Sequence, residues 1–189
     1  RYSLSNAVGA IAGNQEAAAN LQSKGCKGPV QVIPQFGVDT DLYRRQREES
    51  RGGAVLIGYF GRMVREKGVH ILLRAVAEMA GSWRLCLVGD GSYLPELQRL
   101  TVQLGLQSRV EFRASVPSRE MPRLLNELDV LVLPSLTQPN WKEQFGRVLI
   151  EAMSCEVAVV GSTSGEIPHL IGDAGMVFPE GNVDVLRQV

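Results

Sequence analysis

The stretch from Val130 to Gly165, VLVLPSLTQPNWKEQFGRVLIEAMSCEVAVVGSTSG, constrains the fold more than any other part of the chain. An apolar run, Val130 to Leu133, gives way to a Pro/Ser/Asn loop, and a second apolar run follows at Val157 to Val160. Short, nearly uninterrupted apolar runs separated by a helical segment are the pattern of parallel strands buried on both faces. The stretch therefore predicts one βαβ unit, with its helix beginning near Gln144 or Phe145. Glu143 then sits at the helix entrance and Glu151 about two turns inside, their Cα atoms separated by roughly 12 Å along the axis and about 80° around it. Carboxylates so placed cannot share one proton or one metal, but they can hold two parts of one elongated ligand. The first free N–H groups of that helix fall at Gln144, Phe145 and Gly146, and Gly146 lets a ligand approach the backbone closely. Spacing alone favours a plainer reading: Glu143 as a charge favourable to the helix dipole, and Glu151 as an exposed face residue.

The rest of the chain repeats the alternation. Val55 to Phe60 and Arg84 to Val88 read as strands, Val110 to Phe112 as a short one, and Met176 to Phe178 as the last. Between them, Val69 to Ala80, Tyr93 to Leu104, Arg119 to Glu127 and Glu166 to Ile171 read as helices, with another starting at Val183. The predicted fold class is α/β, a right-handed, doubly wound, Rossmann-like parallel sheet over residues 54–189. Upstream, Ala7 to Ile11 and Val30 to Ile33 read as short strands and Asn14 to Lys24 as a helix closed by Gly25. Residues 1–34 are expected to be the tail of a preceding domain and residues 35–53 a connector without sustained periodicity. The chain begins with Arg1 and ends within the final helix, so it is expected to be an excised piece.

Composition closes off other classes. With 189 residues, 44% hydrophobic and 21% charged, the chain can bury one full core. Its formal net charge is zero, so no nucleic-acid partner is expected. Cys26, Cys86 and Cys155 are odd in number and unrelated in spacing; Cys86 and Cys155 read as small buried hydrophobes in a reducing compartment. No apolar run approaches a membrane span and no signal peptide opens the sequence. The expected location is the cytoplasm, with peripheral membrane attachment of a full-length protein left open.

In doubly wound sheets, ligands bind at the carboxyl ends of the strands. Four such ends carry information: Gly61-Arg62 with Lys67, Gly89-Asp90-Gly91, Pro134 to Gly146, and Gly161 to Gly165. Arg62 and Lys67 on one loop are a usual answer to a diphosphate. Any one of these loops could be a solvated turn. A cation pair, helix-start amides and a carboxylate suited to a ribose on one sheet edge point together to a nucleotide ligand. His70 reads as structural among apolar neighbours and His169 as a helix flank; neither is spaced from a carboxylate as a catalytic dyad is.

The motifs GRMVREKG, LVGDGSYLPEL, LVLPS and EQFGRVLIEAMSC…VVGSTSGEIP resemble, in order and spacing, the C-terminal domain of the group 1 (family four) retaining glycosyltransferases of GT-B architecture. VIPQFGVDTDLY resembles the segment joining their two domains, and the likeness covers about Val30 to Gly181. The resemblance implies binding of a nucleoside diphosphate sugar and transfer of the sugar, with retention, to an acceptor hydroxyl on a glycan, lipid or small molecule. By residue, it implies that Arg62 and Lys67 contact the diphosphate beside Gly61, that Glu143 contacts sugar hydroxyls and that Glu151 holds the ribose. It also implies that amides near Phe145 and Gly146, with Gln144 beside them, reach the sugar or phosphate. Arg62, Lys67 and Glu143 are thus the expected catalytic set. No cofactor or metal is expected; Asp39-Thr40-Asp41 spells a metal-binding pattern but lies in the connector. The acceptor site is expected in an absent N-terminal domain, so these residues alone are expected to be inactive in transfer.

The sequence departs from the family pattern in two further places. Glu156 stands where glycine is usual, followed by Val157-Ala158 rather than Val-Pro; a positive φ there would cost about 1 kcal/mol. His169 stands where glutamate is frequent. Two other readings remain: a transferase-derived module that binds without turnover, and a nicotinamide-binding Rossmann domain. The second rests on Gly89-x-Gly91, whose third glycine is missing, because Leu94 and Pro95 occupy that region.

Overall fold

A computed structural model of the chain describes residues 2–34, 36–46 and 53–189; Gln35 and residues 47–52, part of the expected connector, lie outside them. Two compact units are present, residues 1–37 and Val38–Val189.

The first unit holds helix α1 (Tyr2–Asn6), strand β1 (Ala10–Ala12), helix α2 (Gln15–Ser23) and strand β2 (Val30–Val32). The strands pair in parallel, Ala10 with Val30 through Ala12 with Val32. Helix α2 starts where an Asn N-cap predicts, with Asn14 Oδ1 accepting from the Ala17 N–H at 2.7 Å. Helix α1 falls where no apolar period announces it. The first strand lies three residues later than Ala7, its expected start, and the second ends at Val32 rather than Ile33.

The second unit is the doubly wound sheet. Its strands are β3 (Val55–Phe60), β4 (Trp83–Val88), β5 (Val110–Arg113), β6 (Val130–Leu133), β7 (Ala158–Ser162) and β8 (Met176–Phe178). They lie in the order β5-β4-β3-β6-β7-β8, and every pairing is parallel. The intervening helices are α3 (Val69–Ala77), α4 (Leu94–Gln103), α5 (Met121–Leu125), α6 (Arg147–Ser154) and α7 (Ile167–Ile171), with α8 (Val183–Gln188) last. Parallel strands need such crossovers, and the helices cover the strands' apolar faces. Tyr59, Leu87, Leu131, Leu149 and Phe178 are wholly buried. Gly58 belongs to this packing, since a Cβ on it would lie 2.2 Å from a Leu128 methyl.

Three helices have boundaries that differ from the sequence reading by two residues or more. Helix α3 stops at Ala77, short of Ala80, and the predicted Arg119–Glu127 helix is a 3-10 turn (Ser118–Glu120) followed by α5. The charged loop after β3 contains another 3-10 turn, Arg65–Lys67. The third is the consequential one: α6 begins at Arg147, not at Gln144 or Phe145. Gly146 sits at φ 82, ψ 48, in the left-handed region, and a right-handed helix cannot extend back through it. Glu143 therefore belongs to a loop, and the predicted axial distance between the two glutamates does not apply. Among the described residues, no helix is long and apolar enough to cross a membrane.

Candidate active site

The sheet order reverses between β3 and β6. The first strand of the unit runs centrally, one branch building outward to β5 and the other to β8, so the loops after β3 and β6 splay apart above a crevice. The β3 loop carries Gly61, Arg62 and Lys67; the β6 loop carries Ser135 and Glu143.

Several contacts hold the β3 loop. The Tyr59 hydroxyl donates to the Arg62 carbonyl at 2.7 Å from a wholly buried ring, and burial raises its pKa well above the ordinary tyrosine value. The Gly61 and Met63 amides donate to the Val88 and Asp90 carbonyls at 2.9 and 2.8 Å. Asp90 reaches across to accept from the Ser115 amide at 3.0 Å, which with its side-chain bond to Ser115 keeps the carboxylate below its usual range. Further along, Gly68 presses on the end of β6: at φ 67, a Cβ there would stand 1.9 Å from the Pro134 carbonyl oxygen. The Leu136 amide donates to the Glu66 carbonyl at 2.7 Å. This close approach delivers Lys67 to the opposite wall of the crevice.

There Lys67 Nζ lies 2.6 Å from Glu143 Oε2, with only 14% and 10% of the two side chains exposed. The Ser135 hydroxyl donates to the same oxygen at 2.9 Å, and the Trp141 ring lies 5.1 Å from the ammonium. Trp141 is aimed by a tight turn in which Gln138 and Trp141 exchange backbone hydrogen bonds across Pro139-Asn140. The Glu143 backbone is fixed as well, its carbonyl accepting from the Glu166 amide at 3.0 Å.

Glu151 lies just over one turn inside α6. It is 6% exposed, which overturns the reading of it as an exposed face residue. Arg147, one turn earlier, stands 2.9 Å from its Oε1. Burial raises the Glu151 pKa, while Arg147 and the nearby Tyr43 hydroxyl oppose the rise. Tyr43 is itself buried, and its pKa is pushed up to about 12 by that burial and by Glu151. Its hydroxyl also faces the Ser118 carbonyl at 3.3 Å.

The two glutamates line two adjoining cavities. One, about 430 Å³, is bounded by Val88 to Asp90, Ser115, Val116, Met121 and Glu151. The other, about 180 Å³, is bounded by Tyr59, Lys67, Leu133, Glu143 and Gly146. Phe60, Gly61, Arg62, Arg147 and Val148 line both, so two arginines stand where the cavities adjoin. Of the residues expected from sequence, Gly61, Arg62, Lys67, Glu143, Gly146 and Glu151 come together here. Gln144 and Phe145 line neither cavity, and with the later helix start the leading amides belong to Arg147 and Val148. Arg147 and Tyr43 were not anticipated. The first was legible as a partner of Glu151 at i,i+4; the second is over one hundred residues away in sequence and left no local signal.

The remaining motifs lie elsewhere. His70 packs edge-on to Tyr93 at 5.6 Å, and burial with Arg65 and Arg74 lowers its pKa, as a structural neutral ring requires. His169 has Nδ1 3.5 Å from Glu166, a pairing its spacing had not suggested, but it is 77% exposed and lines neither cavity. In Asp39-Thr40-Asp41, Asp39 Oδ1 accepts from the Asp41 and Leu42 amides at 3.0 and 3.2 Å, an ordinary turn cap. Glu156 does take a positive φ, 55. The three cysteines are free and buried.

The family model for glycosyl transferases group 1 matches residues 54–188. A GDP-mannose-dependent alpha-(1-6)-phosphatidylinositol monomannoside mannosyltransferase of Mycolicibacterium smegmatis is 33% identical over 159 residues, covering 80% of this chain and 42% of that protein. The crystal structure of Anabaena HepE in complex with UDP superposes with a TM-score of 0.84 at 28% identity, covering 98% of this chain and 54% of that one. Its complex with UDP-glucose gives a TM-score of 0.80 at 26% identity. The chain thus spans about half the length of the relatives it matches.

Proposed function

The chain belongs to the glycosyl transferases group 1 family, and on that premise we propose that it is the donor-binding half of a retaining glycosyltransferase. The observation that carries this reading is the pair of cavities meeting at Arg62 and Arg147, with Glu151 in the larger and Glu143 in the smaller. A nucleoside diphosphate sugar has the matching layout. The nucleoside occupies the larger cavity, where Glu151 accepts from the ribose hydroxyls. The diphosphate lies at the junction, against Arg62, Arg147 and the Arg147 and Val148 amides of the α6 N-terminus. The sugar reaches the smaller cavity, where Glu143 accepts from its hydroxyls. UDP and UDP-glucose bound to Anabaena HepE, and the GDP-mannose dependence in the mycobacterial relative's name, support a sugar nucleotide as the ligand class.

In this reading, bond cleavage leaves negative charge on the departing diphosphate, and fixed cations at the junction stabilise that charge as it builds. Arg62 supplies a planar fork of donors. Lys67 has three N–H groups, so one can stay on Glu143 while others turn to phosphate. These cations fill the role a metal takes in other transferases. Transfer to an acceptor hydroxyl needs a second domain to bind the acceptor and close the cleft, so residues 1–189 alone transfer no sugar. The reaction is placed in the cytoplasm, where three free cysteines are compatible with a reducing environment.

Titration calorimetry with UDP, GDP, ADP and NAD tests the ligand class, and a chain that binds only NAD refutes it. The division of labour has its own test. Glu151→Ala should weaken diphosphate and sugar nucleotide alike, by roughly ten- to a hundred-fold. Glu143→Ala should weaken only the sugar nucleotide; equal losses for both ligands would show the assignment to be wrong.

A further inference from the structure

Both hydrogen bonds that Glu143 receives fall on one of its oxygens. Lys67 Nζ donates to Oε2 at 2.6 Å and Ser135 Oγ donates to the same Oε2 at 2.9 Å. Among the described residues none bonds to Oε1, yet that atom is not sealed: the one fully buried side-chain nitrogen or oxygen without a partner is His70 Nδ1. Glu143 lines the 180 Å³ cavity, so the oxygen without a partner among the described residues is the one left for a ligand there.

We propose that Ser135 is a positioning residue for the donor: its hydroxyl holds Oε2 so that Oε1 faces the hydroxyls of the bound sugar. This rests on the donor reading above. A carboxylate terminal torsion is broad and two-fold, so nothing intrinsic distinguishes the two oxygens; an outside bond must. Lys67 cannot supply it alone. One of its N–H groups stays on Glu143, but the same ammonium also turns to an arriving diphosphate, so it does not fix the carboxylate's orientation by itself. Ser135 is wholly buried, beyond reach of any ligand, and a hydroxyl has a single proton to give. Its bond to a carboxylate is charge-assisted, the stronger kind.

The serine is itself held. Its carbonyl accepts from the Ser162 hydroxyl at 2.5 Å, and Ser162 Oγ faces the Ser164 amide at 3.4 Å. All three serines are wholly buried. The Ser162 bond ties the ends of β6 and β7 together through the Ser135 carbonyl and leaves the Ser135 hydroxyl to Glu143. Ser162 touches backbone only, so it has the same burial without the same contact and serves as the control.

The test compares Ser135→Ala and Ser162→Ala in the whole chain, by calorimetry with UDP and UDP-glucose and with GDP and GDP-mannose. Ser135→Ala should weaken the sugar nucleotide about tenfold and the diphosphate less than about twofold. Ser162→Ala should lower the melting temperature and leave the ratio of the two affinities unchanged. Ser135→Cys, similar in size but a weak donor, should shift the ratio in the same direction, and it decides the matter if the alanine variant does not fold. An unmoved ratio in the Ser135 variants, or an equal shift in Ser162→Ala, overturns the assignment and leaves the donor reading standing. A wild-type chain that binds none of the four probes overturns both.

Discussion

Breaking the Lys67–Glu143 pair tests whether the two walls of the crevice are held together as the structure implies. At 2.6 Å and an effective dielectric constant of about 20, the Coulomb attraction is about 6 kcal/mol. Desolvation of two largely buried charges cancels several kcal/mol of that, so the net worth of the pair is small. Breaking it from one side is different, because a buried charge is left uncompensated at a cost of about 3–5 kcal/mol. Here each orphan keeps something: Glu143 retains the Ser135 bond and Lys67 retains the Trp141 ring. The expected cost of Lys67→Met is therefore at the low end, about 3 kcal/mol, with Glu143→Gln similar. For a unit of this size that lowers the melting temperature by about 6–12 °C. The double variant leaves no stranded charge, so its cost should fall about 2 kcal/mol short of the sum. Urea denaturation of the four proteins, followed by circular dichroism, measures the coupling. Additivity within about 0.5 kcal/mol would refute the claim that these groups form one buried unit.

Three further outcomes are expected. Burial raises the Glu151 pKa, so the protonated form persists in mild acid, and a neutral carboxyl accepts from a ribose more weakly than the carboxylate. UDP-glucose affinity should climb as pH rises through that raised value, Glu151→Gln should flatten the profile, and a wild-type profile flat from about pH 5 to about pH 8 contradicts the assignment. The same shift has the opposite sign for folding: its stabilisation is full below the unfolded pKa and lost as pH rises through the folded one. Arg62→Ala should weaken UDP far more than uridine, with the difference shrinking as salt rises; equal losses for both would exclude a phosphate contact. Glu156→Gly should raise the denaturation midpoint by relieving φ 55, a gain of up to about 1 kcal/mol against a weak surface pair with Arg45, and a lowered midpoint counts against strain there.

What could be read from sequence, and what could not, divides along a physical line. Val55–Phe60 and Val130–Leu133 were legible to the residue because strands buried on both faces must be continuous apolar runs, cut off by glycine or proline. Alternation with helices then predicted an all-parallel sheet, whose carboxyl ends are where such folds bind ligands. The start of α6 was not legible, because apolar period reports which face is buried and says nothing about φ at Gly146. Nor were the partners of Glu143. Lys67 lies 76 residues away, Ser135 sits across a turn, and Tyr43 reaches Glu151 from outside the sheet entirely. The two glutamates do line adjoining cavities, but through a geometry different from the one their spacing suggested. Eight positions look like two turns of one helix. In the fold they are a loop, a left-handed glycine and a little over one turn. That break sets the carboxylates on either side of Arg147 and Val148 rather than on one rod. A straight helix would put a rigid axis between two ends of a ligand. The broken one puts its own N-terminal amides and a guanidinium there, where the donor reading needs positive charge.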